Sequence, residues 1–560
     1  MLLCASVVTA QQQQPPVPQP SVQLTRAEAL ADTRAFLQML QATHPDPYSN
    51  LGGKIAFERR AQRMMKDLPT NGLTVSDLAA RLGMFVAPLH DGHTNVTMYN
   101  AMWKSRKDPL PVQFQITADT FFVAASDLPA LRGTRGYKVL GVDGHLMTDL
   151  LERLSSRIGT ENTYGLDRTM ANVLQKEDLI KLLVPSLASV TGVTYNLESP
   201  DGQRVDRTVA FNNGAHSADP SKWAEKPALW SGVDRPEDLF YYRMLDSGHT
   251  AYFRVSTMGG REAVQTYRHI NLGGPETLHE ILVEYYQVLG RPLPANVDSA
   301  IAGIPSILEI GTRMLREMKK SGARNLIIDV RGNGGGMTGV LYPLLYQIYG
   351  DGYFKQQLPD SSVTVMSKLY MKFFDVDSAK EAAKNPDFQV GWYQFGDSDE
   401  QPDSATGTPG SAEWAKSRRN RSLAQWKERG YSPSEMKGLG ALDGKPLYKP
   451  RHVAVLVDPV TFSAGFQIEF MLHQLGAALI GVPSGQSPNA FMQVTPFTLP
   501  ESHLTGSISN STQEFLPDTP DVRVLKMDFP ATYAVFRSYG FDEDSSLRYA
   551  LDLLRQGKVR

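Results

Sequence analysis

The chain is poor in cysteine, in long apolar runs and in charge of one sign. Cys4 is the only cysteine among 560 residues, which excludes an internal disulfide framework and a cysteine-rich zinc site. No run after the first ten residues is long and apolar enough to predict a membrane span. The formal net charge is −2, so the chain has neither the basic surface typical of nucleic-acid binding nor a polybasic membrane patch. We expect no nucleic-acid partner.

The first residues resemble a leader sequence. Met1–Ala10 is apolar with small residues at its end, and a glutamine- and proline-rich run follows to Pro20. This pattern predicts a signal peptide and linker over 1–23, although the usual positive start is missing. We therefore expect export to the periplasm or the medium, as a soluble protein that has lost Cys4. A lipid anchor on Cys4 is the weaker alternative, since the preceding Leu3 is large.

The rest of the chain predicts an α/β multidomain protein. Helical apolar spacing, as in Ala27–Ala42 and Asp77–Val86, indicates an N-terminal helical domain over 24–104. Residues 105–244 are β-rich, and Pro200-Asp201-Gly202 marks the turn of a hairpin.

Strands alternate with helices over 245–560, as in an α/β core. The predicted core elements are strand Thr250–Val255, helix Ser299–Lys320, strand Asn325–Val330, strand His452–Val457 and helix Ala464–Leu475. Two interruptions, at about 259–298 and 353–447, break this alternation. The second contains the acidic run Asp397–Gly410 and is predicted to be a surface excursion whose flanking helices form a lid or a homo-oligomer contact.

Two apolar strands of the core end in polar turns. Asn325–Val330 leads into Arg331-Gly-Asn-Gly334-Gly335-Gly336, and glycines at such a turn let backbone amides approach an anion closely. His452–Val457 leads into Thr461-Phe-Ser463-Ala464, where Ser463 precedes a helix and the free amide of Ala464 favours negative charge. We expect amides of about Gly334, Gly335 and Ala464 to form an oxyanion hole.

These turns have other interpretations. Ser463 could simply cap its helix. The glycines could bind phosphate, but no G-x-x-x-x-G-K-[ST] or G-x-G-x-x-G motif supports a nucleotide site, and no cofactor is predicted. Asp329 and Arg331 are expected to tie the turn together.

A third polar segment, Leu89-His90-Asp91-Gly92-His93-Thr94, lies far upstream. With the two turns above, and with Thr43-His-Pro-Asp-Pro-Tyr48 and Pro520-Asp-Val-Arg-Val524, it resembles the S41 family of serine peptidases, the tail-specific and tricorn-core proteases. The resemblance implies a crotonase-related (ClpP-like) α/β core, a PDZ-like module around Gly136–Gly144 and hydrolysis of peptides or unfolded proteins. A plain β-hairpin is the alternative for Gly136–Gly144.

The resemblance also assigns roles in catalysis. Tail-specific members pair the serine with a lysine, but Gln486 stands at that position, so a Ser-Lys dyad is not expected. The tricorn-like branch implies His93 as base and Glu514 as the acid that orients it, with Asp518 or Asp521 as alternatives to Glu514.

His93 itself has alternatives. The branch has a serine just before the histidine where this chain has Gly92, which leaves the orientation of His93 open. A structural histidine, or a zinc pair with His90, is the competing role for His93.

Two other functions fit parts of the pattern. Thr461–Gly465 approximates the nucleophile elbow of α/β-hydrolases, which would make the protein an esterase. That fold places its histidine after the acid, whereas the last histidine here, His503, precedes the predicted acids. A non-catalytic binding or scaffold protein is the second alternative, because the lysine is missing and Gly92 replaces the serine before the histidine. The favoured prediction is a serine endopeptidase with Ser463 as nucleophile.

Replacing Gln486 and His93 by alanine tests whether the dyad has been lost. We expect His93→Ala to lower kcat/KM by roughly 10²–10⁴-fold, because general-base catalysis is worth that much. Gln486→Ala should lose far less, since an amide takes up no proton. Peptide-hydrolysis kinetics measures both, and equal losses would contradict a histidine base.

Overall fold

A computed structural model describes most of the chain, and the predicted leader with Cys4 lies outside the described residues. Residues 397–406 of the acidic run also lie outside them. Within the described part, no helix has the length and apolarity needed to cross a membrane. The described ranges are 19–103, 109–212, 220–224, 239–270, 274–356, 361–384, 387–396 and 407–559.

Helices dominate the N-terminal region, as the apolar spacing predicts. The elements are β1 (Gln23–Leu24), α1 (Arg26–Thr43), α2 (Lys54–Lys66), β2 (Leu73–Thr74), α3 (Val75–Val86), β3 (Asn95–Val96) and α4 (Thr97–Met102). Helix α1 starts at a capping box in which Thr25 and Glu28 bond each other's backbone amides. The segment that carries His93 leaves the end of α3 and enters β3.

The middle region is an antiparallel sheet with three helices. Its elements are β4 (Val112–Ile116), β5 (Phe121–Ser126), β6 (Lys138–Val142), β7 (His145–Leu146), α5 (Met147–Ser155), α6 (Thr163–Val173), α7 (Glu177–Leu183), β8 (Gly192–Glu198) and β9 (Arg204–Ala210). The strand order is β4-β5-β6-β8-β9, with β7 paired to β6. The hairpin predicted at Pro200–Gly202 is confirmed, because β8 and β9 pair antiparallel around it.

These two regions share one hydrophobic core. It joins apolar residues of α1–α4 and of the middle sheet with side chains from beyond residue 480. The rings of Phe36 and Phe497 lie 5.4 Å apart, and those of Phe122 and Tyr533 lie 6.1 Å apart. Burying both regions against the C-terminal part fixes the position of His93 relative to the rest. The predicted boundaries at 104 and 244 stay predictions.

The C-terminal region is built on a six-stranded sheet. The strands of the region are β10 (Phe240–Leu245), β11 (Thr250–Val255), β12 (Asn325–Asp329), β13 (Ser361–Val365), β14 (Tyr393–Gly396), β15 (His452–Val457), β16 (Ala478–Gly481), β17 (Asn489–Thr498), β18 (Thr505–Glu514) and β19 (Phe529–Pro530). The order of the six-stranded sheet is β10-β11-β12-β15-β16-β19, with β10 antiparallel to β11 and the other neighbours parallel.

Helices cover both faces of this sheet, as in the predicted α/β core. The helices of the C-terminal region are α8 (Arg261–Ile270), α9 (Gly274–Val288), α10 (Val297–Ala302), α11 (Ile307–Ser321), α12 (Tyr342–Tyr349), α13 (Asp351–Lys355), α14 (Lys368–Phe373), α15 (Ser378–Lys384), α16 (Ala412–Glu428), α17 (Pro433–Gly440), α18 (Ala464–Gln474), α19 (Tyr533–Ser538) and α20 (Ser545–Arg555).

The helix predicted over Ser299–Lys320 is two helices, α10 and α11. Pro305 has no amide hydrogen and disfavours helical backbone before it, so the chain breaks there. Ser306 then caps α11 by accepting a hydrogen bond from the Glu309 amide.

The second interruption contributes to a sheet and is not only a surface excursion. Its strand β13 pairs antiparallel with β18, which also pairs with β3 and with β17 in a separate sheet. Ser507 of β18 lies opposite Asn95 of β3. Residues from the excursion therefore support the strand next to the His93 segment.

The glycine turn after β12 rests on a buried ion network. Asp329 is 1% exposed and accepts hydrogen bonds from Arg331, Arg254 and the Tyr252 hydroxyl. Burial favours the neutral acid, but the charges of Arg331 and Arg254 outweigh it and hold the pKa of Asp329 well below its ordinary value. The predicted role of Asp329 and Arg331 in tying the turn together is confirmed.

Arg331→Ala should lower the free energy of unfolding by about 3–5 kcal/mol, because it leaves the buried Asp329 carboxylate without its closest partner. Arg268→Ala is the matched control: its partner Asp298 is 74% exposed, so we expect a loss below about 1 kcal/mol. Urea unfolding measures both. Equal losses would show that the network does not stabilise the fold.

Candidate active site

Two turns meet at the carboxyl ends of β12 and β15. These strands are parallel neighbours, so the turns that follow them lie at the same edge of the sheet. The Phe462 amide donates to the Asn333 carbonyl at 3.0 Å. A Cβ on Gly335, whose φ is +108°, would lie 2.7 Å from Ser463 Cβ. Only glycine permits this approach and this backbone conformation.

Ser463 lies at a strained turn just before α18. Its φ of 54° and ψ of −127° are rare for a residue with a side chain and cost about 1–3 kcal/mol. The Ser463 amide donates to Oε1 of Gln486, which helps to hold the turn. Ser463 remains partly exposed at the start of the helix.

The amides near Ser463 differ in availability. Ala464 is the first residue of α18, so its amide is free of the helical hydrogen-bond ladder. Among the described residues, neither the Ala464 amide nor the Gly334 amide has a protein acceptor. The prediction for Gly335 needs correction, because its amide donates to Asn333 Oδ1 at 3.0 Å. The amides of Gly334 and Ala464 are therefore the ones left free to face an anion.

His93 lies beside this serine turn. Its amide donates to Asp91 Oδ1 at 2.8 Å, which fixes the backbone. Its ring stacks on Phe462, with centroids 5.0 Å apart and planes 29° apart. Phe462 is the residue just before Ser463, so the stack brings the segments of His93 and Ser463 together. The histidine side chain is 13% exposed.

Asp91 is held ionised by a second histidine, His44. The Asp46 amide donates to His44 Nδ1 at 3.1 Å, so the ring proton is on Nε2, which faces Asp91 Oδ2 at 3.2 Å. Burial would raise the pKa of Asp91, but the hydrogen bond with His44 and the nearby rings of His44 and His93 lower it to about 2. The Thr43–Tyr48 segment thus has a structural role behind His93.

An acid that sequence reasoning missed, Glu161, faces the ring of His93. Its Oε1 lies 3.5 Å from His93 Nδ1, and the residue is 4% exposed. The Ser487 amide donates to the other oxygen, Oε2, at 3.0 Å. Glu161 precedes Asn162, the cap of α6, so its segment shows only the pattern of a helix start. No local motif marks it.

The pKa of His93 reflects this acid. Burial lowers the pKa of the imidazole, but its interactions with Glu161 and then Asp91 outweigh that effect and raise it above the ordinary value. Burial raises the pKa of Glu161, while His93 opposes this. Stabilising the protonated imidazole is what a general base requires during proton transfer.

Comparison with known proteins points to one peptidase family. Residues 311–505 match the model of peptidase family S41, a segment that contains both the glycine turn and Ser463. This part of the chain is therefore similar to the S41 peptidases, and the match supports a serine-type peptidase. No curated protein sequence matches the chain.

Solved structures with the same fold include CPAF. Mature CPAF complexed with lactacystin is 15% identical, over 95% of this chain and 99% of that chain, with a TM-score of 0.52. A CPAF mutant with serine replaced by alanine is 14% identical, over 93% and 96%, with a TM-score of 0.50. The photosystem II D1 C-terminal processing protease is 12% identical, over 90% and 93%, with a TM-score of 0.34. The CPAF likeness shows the fold alone.

Gln486 contacts the backbone of Ser463. The side chain is fully buried, with Oε1 on the Ser463 amide and Nε2 3.9 Å from Met492 Sδ. Because an amide group does not titrate near neutral pH, Gln486 supports the turn and leaves the proton to another group. This agrees with the absence of a lysine.

Gly92 explains how the histidine is oriented without the serine of the tricorn-like branch. A Cβ at Gly92 would lie 2.6 Å from Phe462 Cζ and 3.2 Å from Glu161 Oε1. The Phe462 ring occupies the space beside Gly92, and stacking with Phe462 orients His93. A larger residue at 92 would push both neighbours of the imidazole.

The three acids predicted to orient His93 have different surroundings from Glu161. Glu514 is the last residue of β18, opposite Asn489 and Ser361, whereas Asp518 and Asp521 are exposed. The ion pairs of His93 in the described part are with Glu161 and Asp91. Glu514 stays a prediction from the resemblance, and the contacts favour Glu161.

A metal is the remaining alternative for this cluster. One donor atom each from Asp91, His93 and Glu161 lies within 4.8 Å of the others, while the exposed His90 is outside the group. Both Asp91 oxygens and Glu161 Oε2 already face protein donors. This arrangement fits a hydrogen-bonded histidine better than a metal shell.

Gly92→Ala should lower kcat/KM by roughly tenfold or more, because displacing His93 by a fraction of an ångström disrupts the reacting geometry. Gly438→Ala is the control, since its added methyl meets no atom within 4 Å. Steady-state kinetics with thermal unfolding separates activity from folding. Equal activities of the two variants would contradict the packing role of Gly92.

Proposed function

We propose that the protein is an exported serine endopeptidase that cleaves peptides or unfolded proteins through an acyl-enzyme. The observation that carries this proposal is the stacking of His93 on Phe462, directly beside the strained Ser463 and the free amide of Ala464. A serine alone is a weak nucleophile and needs such a base.

In this mechanism Ser463 Oγ attacks the scissile carbonyl carbon while His93 Nε2 takes the hydroxyl proton. The carbonyl electron pair moves to oxygen, and the amides of Gly334 and Ala464 stabilise that charge. Collapse breaks the C–N bond, and His93 returns the proton to the leaving amine. A water then attacks the acyl-enzyme, again losing its proton to His93, and releases the acid product and Ser463.

The fold supports further parts of the proposal. The sheet with parallel strands β11, β12, β15, β16 and β19 supports a crotonase-related core, and the β6–β7 turn before α5 supports a PDZ-like module. Such a module would guide peptide ends towards Ser463. We also propose export and self-association, on the sequence pattern alone.

Ser463→Ala should abolish hydrolysis of reduced, unfolded casein, lowering the rate by roughly 10³-fold or more, because the nucleophile is lost. Ser156→Ala, an exposed serine on the surface, is the matched control and should keep full activity. Mass spectrometry of the products should show internal cleavage.

Three outcomes would contradict the proposal. Products released only from chain ends would exclude an endopeptidase. Equal activity of Ser463→Ala and wild type would exclude the nucleophile. Inactivity of a folded wild type on peptides, with turnover of ester substrates or ligand binding, would indicate the esterase or the scaffold.

A further inference from the structure

We propose that Glu161, not an acid near the C-terminus, is the positioning residue that orients His93 in the reaction. This inference rests on the proposed function of His93 as base. It names a residue outside the three motifs by which the family is recognised. It also places the acid that completes the active site in the middle region, just before α6, and not near the C-terminus.

The first argument is that two buried polar atoms face each other. His93 Nδ1 and Glu161 Oε1 are both shielded from solvent, and neither has a hydrogen-bond partner within the usual geometric limits among the described residues. They lie 3.5 Å apart. When His93 Nε2 takes the proton from Ser463, Nδ1 carries a hydrogen, and Glu161 Oε1 is the acceptor in reach. A small tightening satisfies both atoms at once.

The second argument is that Asp91, the other acid near the ring, is already engaged. Its Oδ1 accepts from the His93 amide and its Oδ2 faces His44 Nε2. Its distance to His93 Nδ1 is 4.0 Å, longer than that of Glu161. Asp91 therefore fixes the backbone at His93, while Glu161 faces the imidazole ring.

The third argument is that Glu161 is hydrogen-bonded to the same loop that supports Ser463. Ser487 donates its amide to Glu161 Oε2 and its hydroxyl to the Glu161 carbonyl, at 3.0 and 2.9 Å. Asn162 donates to the carbonyls of Ser484 and Gln486. Since Gln486 bonds the Ser463 amide, one loop ties acid and nucleophile together.

The test compares Glu161→Gln with Glu514→Gln, the acid that the resemblance assigns, and with the control Glu152→Gln at an exposed position of α5, which should keep full activity. Glu161→Gln should lower kcat/KM by roughly 10²–10⁴-fold, as expected when the group that fixes a catalytic imidazole loses its charge. Glu514→Gln should change kcat/KM less than about twofold. Hydrolysis of unfolded casein measures both, and the opposite order of the two losses would overturn the proposal.

A second readout does not depend on peptidase activity. The pKa of His93, from NMR titration of labelled histidine, should fall in Glu161→Gln and stay unchanged in Glu514→Gln, because Glu161 stabilises the charged ring. Asp91, which also faces His93, and His44 are present in both variants. An unchanged His93 pKa in Glu161→Gln would overturn the proposal even if the protein cleaved no peptide.

The pH dependence of activity shows in which direction Glu161 shifts the pKa of His93. Activity needs neutral His93, so the kcat/KM of the wild type should rise with pH through a pKa raised above 6.5. In Glu161→Gln this rise should move to lower pH while the plateau falls. If Glu161→Gln does not fold, Glu161→Asp keeps the charge with a shorter reach and should show an intermediate plateau. A kcat/KM plateau equal to that of the wild type, in either variant, would overturn the proposal.

Discussion

The close contact between the glycine turn and Ser463 is the constraint on which the site depends. Asn333 fixes it from three atoms: its carbonyl accepts from Phe462, its Oδ1 accepts from Gly335, and its Nδ2 donates to Val255. Asp458 joins the same two turns by accepting from the Gly332 amide. Because every one of these bonds is buried or partly buried, breaking one leaves an unpaired polar group.

Burial of charge is the second property that shapes the site. Asp91, His93 and Glu161 lie where water is largely excluded, so their mutual interactions are stronger than at a surface. The cost of removing charges from water is offset by backbone amides and by His44. This explains why the N-terminal helices and the middle region share a core with the C-terminal part. The N-terminal helices and the middle region cover the site and exclude water from it.

The sequence was sufficient for elements with strong local patterns. Strands Thr250–Val255 and His452–Val457 have the predicted bounds, since apolar runs between polar turns indicate strands directly. Ser463 and His93 could be named because they lie in short recognisable segments. Glu161 could not, because its role comes from contacts with Ser487 and His93 that are distant in sequence. The Gly335 amide was predicted to face an oxyanion because of its place in the turn. In the structure that amide donates to the Asn333 side chain.

The spread of the site along the chain has a consequence for biosynthesis. His93 and Glu161 are made early, but Ser463 and the loop at Ser484–Ser487 that supports it are made in the last fifth of the chain. Strand β18, which pairs with β3 beside His93, is made later still. On the proposed roles, a ribosome-bound chain carries His93 and Glu161 but no nucleophile until its last fifth is made. Hydrolysis by the proposed mechanism therefore requires a nearly complete chain.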